Sequence, residues 1–296
     1  MVITLDSCPV LPPVLDSFTV VIPVHHAVQT AARRQVFLET LASIAQALAY
    51  FDEHYPYRDR VTWEAILVDD GSTDGTLEAI VDWIRDRAGW GLVRHSINRG
   101  PGAARNSGVG ASRGAAIFFC DSDDRYAPTH FFVGFAALNA PLPPHISPAT
   151  APSSPIPGIG DRYPGTVKTA IAFSDPVHPD WRAALENTLV QNRAVRRELH
   201  EFVGGFPEVD LFKKGYEDSA YDYICSHFAP SIFLPVRTVE YLRHPDNAFD
   251  RQLAQFQRPM SEATRHLSPQ DWERRRDQGI FARDKVIKLQ EKIQKS

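Results

Sequence analysis

Residues 65–76 read AILVDDGSTDGT. An apolar run, Ala65–Val68, meets two acids, Asp69 and Asp70. Gly71 follows, then three residues that favour helix starts, Ser72, Thr73 and Asp74. The expectation is a buried strand, a turn and a helix to about Arg87, because Leu77, Ile80, Val81 and Ile84 share one helical face. The same rhythm extends outward. Phe18–Val24, FTVVIPV, is a β-branched run suited to a buried strand. It is followed by apolar residues at helical spacing over Gln35–Phe51. Gly91–His95 reads as a third strand and residues 98–102 as a turn. Pro101 suits the first position of a helix to about Arg113, whose small residues allow close approach to a sheet. Ala115–Cys120 is a fourth strand, ended by Asp121-Ser122-Asp123-Asp124. Alternating strands and helices predict an α/β fold with a Rossmann-like, mostly parallel sheet covered by helices on both faces.

Residues 1–17 read as an N-terminal extension and 18–138 as the first half of the fold. A proline-rich loop or linker over 139–165 sits beside the strand-tip edge in this reading. In the second half, 166–250, strands are expected at Thr166–Ser174 and Ile232–Leu242. Helices are expected at Trp181–Glu201 and Ser219–Phe228, with a sharp turn at Gly204–Pro207. Residues 251–296 form a C-terminal helical tail. From Asp271 it carries 8 Lys/Arg against 5 Asp/Glu, with Val286, Leu289 and Ile293 on one stripe. A helix packed on its own domain is the first expectation there, and docking on a membrane surface the second.

With 32 Lys and Arg against 36 Asp and Glu, the 296-residue chain has a formal net charge of −4, which argues against nucleic-acid binding by bulk electrostatics. Its three cysteines, Cys8, Cys120 and Cys225, are widely spaced and make neither a disulfide framework nor a zinc site. They fit a reducing, cytoplasmic compartment, with the tail at the inner face of the membrane as the variant. No apolar run approaches the roughly 18 residues that span a bilayer, and the first residues lack a secretory pattern.

The acids follow apolar strands, where open parallel sheets bind their ligands. Turn and capping chemistry accounts for Asp74 equally well. It does not account for three carboxylates within Asp121–Asp124, which repel one another unless a cation or an arginine neutralises them. Asn98–Gly110 has Gly100 and Gly102 at dinucleotide-fingerprint spacing, but Arg105 stands at the third glycine and the match fails. Arg105 itself can present a planar, permanently charged fork to a phosphate. Glu217-Asp218 opens a helix, where acids are stabilised as anions.

VVIPVHH, ILVDDGSTDGT, NRGPGAARNSGVGASRG, IFFCDSDD and GGFPE…YEDSAYDY, in this order, resemble a family 2 glycosyltransferase with the GT-A fold. The resemblance covers residues 18–126 and, less closely, 166–245. It implies an inverting transfer from a nucleotide sugar, in most relatives a UDP-sugar, to an acceptor hydroxyl on a glycan, a lipid-linked carrier or a small molecule. Pro23, Val24 and His25 would line the nucleotide pocket, and Asp70, with Asp69 beside it, would bind the base. Arg105 would approach the nucleotide. Asp121 and Asp123, with Ser122 between them, match the Asp-x-Asp motif that places Mn2+ or Mg2+ on the donor diphosphate. Asp218 matches the catalytic base with Glu217 as its neighbour, and His244 matches a histidine that binds metal or diphosphate in some relatives. Trp181 and Phe206 offer apolar faces for an acceptor sugar or for the core.

The sequence lacks the QxxRW motif and membrane spans of processive relatives, and it carries His25 where relatives often have an aromatic residue. The alternatives in other classes are a non-catalytic nucleotide-sugar-binding protein and a sugar nucleotidyltransferase. The first is disfavoured by intact Asp123 and Asp218. The second is disfavoured because VHHAV (24–28) stands where a glycine-rich basic loop is expected.

Overall fold

The β-branched run at Ser17–Val24 (β1) is buried on both faces because it lies inside an eight-stranded sheet. The computed structural model describes residues 14–142, 154–173, 177–212, 215–242, 257–263 and 268–295. Thr62–Asp70 (β2) pairs with β1 in parallel, and Trp90–His95 (β3) pairs with β2 in parallel. Ala116–Phe119 (β4) flanks β1 on its other side, also parallel. Arg125–Tyr126 (β5), Thr166–Phe173 (β6), Arg193–Arg196 (β7) and Ser231–Tyr241 (β8) complete the order β3-β2-β1-β4-β7-β6-β8-β5. Strand β7 is antiparallel to both β4 and β6, while β6 and β8 are parallel. The sheet is thus mostly parallel, as expected, with antiparallel β7 in its middle and β5 at its edge.

Alternating strand residues feed two cores. On one face Phe18 and Phe118 pack with Phe51 of Ala31–His54 (α1) and with Phe131 and Phe135 of His130–Asn139 (α4). Ring centroids there lie 5.0–5.8 Å from Phe18. On the other face Val21, Val68 and Phe119 meet Pro101–Gly110 (α3), Arg197–Val203 (α6), Glu217–Ser226 (α7) and Pro269–Lys295 (α8). Thr76–Ile84 (α2) follows β2, Pro179–Thr188 (α5) precedes β7, and Met260–Ala263 adds one turn.

Several boundaries differ from expectation. Asp69 and Asp70 belong to the strand itself. Helix α2 begins at Thr76, because Gly75 takes φ 93° and Asp74 Oδ1 accepts from Thr76 N (3.2 Å) and Oγ1 (2.6 Å). The helix expected over Trp181–Glu201 is broken by β7. That strand is a charged stretch whose buried arginines donate to carbonyl and carboxylate oxygens, although Arg193 keeps Nε and NH1 buried without a partner. Arg196, for example, donates to Pro164 O and Leu138 O. Most of the proline-rich segment lies outside the described residues. Its described part leads into the start of β6, whose Thr166 aligns with Val195, the partner of Ile117. Residues 154–165 therefore sit at the edge opposite the strand-tip acids, which corrects their expected placement.

The apolar stripe of the tail packs inward. Val286 is buried, and Leu289 and Ile293 pack on the second core, so this stripe is not available to a membrane. Among the described residues no helix is long and apolar enough to cross a bilayer. Cys120 and Cys225 are buried free thiols, and Cys8 lies outside the described residues.

Helix α3 comes as close to the sheet as its small residues permit. A Cβ on Gly108 would stand 2.5 Å from Val21 Cγ1 and 3.1 Å from Val68 Cγ2. Gly108→Ala should lose about 1–3 kcal/mol in urea unfolding, the usual cost of overpacking. Gly110→Ala, with nothing within 4 Å of the new methyl, should stay within about 0.5 kcal/mol. Equal stability of the two variants would contradict this packing.

Candidate active site

Helix α3 ties three groups of acids together. At its start, Gly100 N donates to Asp70 Oδ2 (2.8 Å) and Arg99 N to Asp70 Oδ1 (2.9 Å). His95 Nδ1 pairs with the same Oδ1 at 2.6 Å, and His95 Nε2 pairs with Ser107 Oγ at 2.8 Å. Asp70 is only 3% exposed. Its carboxylate is thus engaged by protein donors and anchors the turn that launches α3. Asp69 points to the other side of β2. It accepts from Ser72 N (3.0 Å) and lies 3.6 Å from Arg94 Nε.

One turn into α3, Arg105 NH1 donates to Glu217 Oε1 (2.9 Å) and NH2 to Asp121 Oδ1 (2.7 Å). The residue is 4% exposed. Burial works against its charge, but Asp121 and Glu217 outweigh that and hold its pKa above the ordinary value. The guanidinium also lies 5.4 Å from the Phe206 ring centre. Arg105 therefore joins the tip of β4 to the first turn of α7, where the sequence reading placed it against a phosphate. Asn106 fixes the neighbouring turn: its Nδ2 donates to Phe206 O (2.9 Å) and Glu208 Oε1 (2.8 Å), and its Oδ1 accepts from Phe206 N (2.9 Å).

The acids are electrostatically tense. Burial pushes Asp218 up to about 7, and the Glu217 charge adds to it, while Ser219 N (2.7 Å), Arg105 and Arg193 pull it back. Burial also raises Asp121, against Arg105 and with Asp123. Asp124 is raised well above the carboxylate range by burial and then by Asp123 and Asp121. Its Oδ1 accepts from Leu242 N (3.2 Å), while Oδ2 is buried without a hydrogen bond.

At the tips of β1 and β4, His25, Ala27, Arg33, Val36, Phe37, Ser122 and Asp123 line a small cleft of about 30 Å³. Pro23 and Val24 pair with Val68 and Asp69 at that tip. The His25 Nδ1–H donates to Asp70 O (2.9 Å), so Nε2 is the nitrogen left to accept. The His25 ring stacks on His26 at 4.0 Å. His244 lies outside the described residues. Phe206 is a core residue, stacked on Tyr221 at 4.0 Å. Trp181 packs with Val177, and its Nε1 donates to Arg258 O (3.0 Å).

Sequence reasoning missed the buried polar group beside Asp218. Arg193 is 0% exposed and donates to Asp222 Oδ1 (2.7 Å), which also accepts from Lys168 Nζ (2.5 Å). Burial and then Arg193 lower the Lys168 pKa to about 8. The only sequence signal was a basic residue inside an apolar stretch, which reads equally well as a helix surface.

Among the described residues no three His, Cys, Asp or Glu side chains are grouped to hold a metal ion. A magnesium-type ion needs no such cage, since one or two carboxylates plus substrate phosphates hold it. The hard-oxygen set at Asp121–Asp124, with its mutual repulsion and the orphaned Asp124 Oδ2, fits a divalent cation in donor chemistry.

A mostly parallel sheet with carboxylates gathered at its strand tips, and an acid pair facing them from a helix start, is a GT-A-like arrangement. Residues 19–141, rather less than half of the chain, match the sequence model of the family described as Glycosyl transferase family 2. The chain is similar to the succinoglycan biosynthesis protein ExoO of Rhizobium meliloti (strain 1021), 45% identical over 73 residues, which are 24% of this chain and 20% of that protein. It is also similar to the dolichyl-phosphate beta-glucosyltransferase ALG5C of Trichomonas vaginalis, 33% identical over 78 residues, 26% of this chain and 23% of that one. The matched segments thus span about a fifth to a quarter of these relatives' own length. Among solved structures, the mannosyltransferase PcManGT from Pyrobaculum calidifontis, in complex with GDP-Man and Mn2+, superposes with a TM-score of 0.56. That match has 19% identity over 92% of this chain and 72% of that one. S. aureus TarS 1-349 in complex with UDP-GlcNAc gives 0.53, with 18% identity over 79% and 60%. At these identities the likeness establishes the fold.

Arg105→Leu removes the cation between two carboxylates and leaves both partly buried charges uncompensated. The variant should lose about 3–5 kcal/mol of stability in urea unfolding. A loss under about 1 kcal/mol, the range of an exposed ion pair, would contradict the bridge.

Proposed function

We propose that this chain is a metal-dependent, inverting glycosyltransferase that moves a sugar from a nucleoside-diphosphate sugar, in the first instance a UDP-sugar, to an acceptor hydroxyl. The observation that carries the reading is the Arg105 bridge. By joining Asp121 to Glu217 it holds the first turn of α7, with Asp218, against the strand-tip acids. The solved neighbours support a nucleotide-sugar donor, since their structures contain UDP-GlcNAc or GDP-Man with Mn2+.

In this reading Asp218 is the general base, and a carboxyl pushed up to about 7 is matched to proton transfer near neutral pH. It accepts the acceptor hydroxyl proton as that oxygen attacks the anomeric carbon opposite the leaving diphosphate. Glu217 raises the Asp218 pKa by its charge, and Ser219 N–H orients the carboxylate. Asp123, with Asp121, would hold Mn2+ or Mg2+, which when bound offsets the charge developing on the diphosphate. Asp70 shapes the base pocket by fixing the turn at residues 98–100. The His25 face lines that pocket where relatives often place an aromatic ring. The nucleotidyltransferase reading gains nothing, because the β1 tip carries a stacked histidine pair in place of a glycine-rich loop.

Asp218→Asn should keep donor binding and abolish transfer; full turnover in that variant removes Asp218 as base. In the wild type the base must be ionised, so kcat/KM should climb as pH rises through about 7 and level off above it. A flat profile from about pH 5 to about pH 8, across the value of about 7, would sink the base assignment. Asp123→Ala should weaken UDP binding in the presence of Mn2+ far more than in its absence. Calorimetry showing the same metal dependence as wild type would refute Asp123 as the ligand.

A further inference from the structure

We propose that the cleft between α7 and α8 is the acceptor subsite, and that it takes a sugar bearing an anionic group, a phosphate or a carboxylate. The inference rests on the glycosyltransferase reading and gives it a substrate class. The cleft has a volume of about 380 Å³, and its walls include Tyr216, Ser219, Tyr223, Arg275, Gln278 and Arg283. That size falls within the usual range of ligand pockets, roughly 300–1,000 Å³. The start of α7 carries the cleft residues Tyr216 and Ser219 as well as the proposed base, although Asp218 itself does not line the cleft. Asp218 and Arg275 both act on the Tyr216 phenol.

The charge of the lining is one-sided. Its ionised side chains are Arg275 and Arg283, and no carboxylate lines it. Neighbouring cations on α8 are occupied: Arg274 pairs with Asp271 (2.5 Å) and Arg276 with Asp277 (3.0 Å). Arg283 meets Asp284 only at 3.6 Å, both well exposed. Among the described residues no carboxylate lies within ion-pair distance of Arg275, on which Asp271 acts only from farther off. Its guanidinium lies 4.8 Å from the Tyr216 ring centre, and its Nε is buried without a hydrogen bond. A permanently charged fork held on an aromatic ring at the wall of a cavity is suited to a carboxylate or phosphate.

The rest of the lining suits a sugar. Tyr223 is 41% exposed and, with Tyr216, offers an aromatic surface for the C–H face of a pyranose. Gln278, 5% exposed, pins α8 to the turn before α7 by donating from Nε2 to Leu211 O (2.9 Å) and Gly215 O (3.2 Å). Its Oε1 is buried without a partner. Tyr216 itself takes φ +71°, a left-handed conformation costly for a side chain of this size, which sets its ring at the cavity wall.

The test titrates the full-length protein with glucuronate, glucose 6-phosphate and glucose by calorimetry, and in parallel with a UDP-sugar plus Mn2+. At least one anionic sugar should bind about ten-fold or more tightly than glucose, the worth of one hydrogen bond to a charged group. The arm that binds names the group as carboxylate or phosphate. The double variant Arg275→Gln/Arg283→Gln should erase that preference and leave UDP-sugar binding unchanged. Should that variant fail to fold, Arg283→Glu on its exposed side chain should weaken the anionic sugar and spare glucose. Equal binding of charged and neutral sugars, or an unaltered preference in the variants, overturns the subsite. Loss of UDP-sugar binding with the anionic preference intact overturns the donor reading instead, and leaves the anion site standing.

Discussion

A single buried guanidinium holds the two halves of this molecule in working register. Arg105 belongs to the first half of the chain, and so does Asp121, 16 residues away; Glu217 comes from the second half, 112 residues away. Removing such a cation from water is costly, and two carboxylates at hydrogen-bond distance offset that cost. The same two contacts decide where α7 begins relative to the sheet. Asp218 inherits its position from a residue that it does not hydrogen-bond, while burial and the Glu217 charge raise its pKa against the pull of Arg105.

Helix α3 can serve as that bridge only because its side chains are small. Gly108 allows it to lie against Val21 and Val68. Gly102 allows its first turn to approach Pro207 O at 3.2 Å and Glu217 Cγ at 3.4 Å, measured to an added Cβ. A helix of ordinary residues would stand farther from the sheet, and Arg105 would no longer reach both carboxylates. Asp70 at one end of the helix and Asn106 in its middle then fix its start and its contact with residues 206–208. Backbone donors and short side chains do this work, so the geometry is rigid where the chemistry needs it.

The sequence revealed those parts whose signals are local. β1, β2 and β4 are apolar runs, buried on both faces, and each is closed by acids or a turn; they were readable for that reason. The small residues of α3 announced a close approach, and the structure bears it out at Gly108. What could not be read was the pairing of distant polar groups. Arg105 resembled a phosphate ligand because nothing within its own segment supplied a counter-charge. β7 resembled helix because Arg193 and Arg196 suggested a solvated face, whereas both are buried and donate to Asp222, Pro164 O and Leu138 O from elsewhere in the chain. Asp70 was read as a ligand for a base, yet its oxygens are taken by backbone N–H groups some thirty positions later.

The left-handed tyrosine before α7 has a consequence for how this region can drift in evolution. A bulky residue in that conformation carries a penalty of about 1–3 kcal/mol, and glycine at the same place would carry none. Replacing it would make the backbone more comfortable but would delete a ring that supports Arg275. Thermal robustness and ligand recognition therefore pull that codon in opposite directions. Under the proposed acceptor subsite, homologues whose acceptor carries no anionic group are expected to show the relaxed residue there.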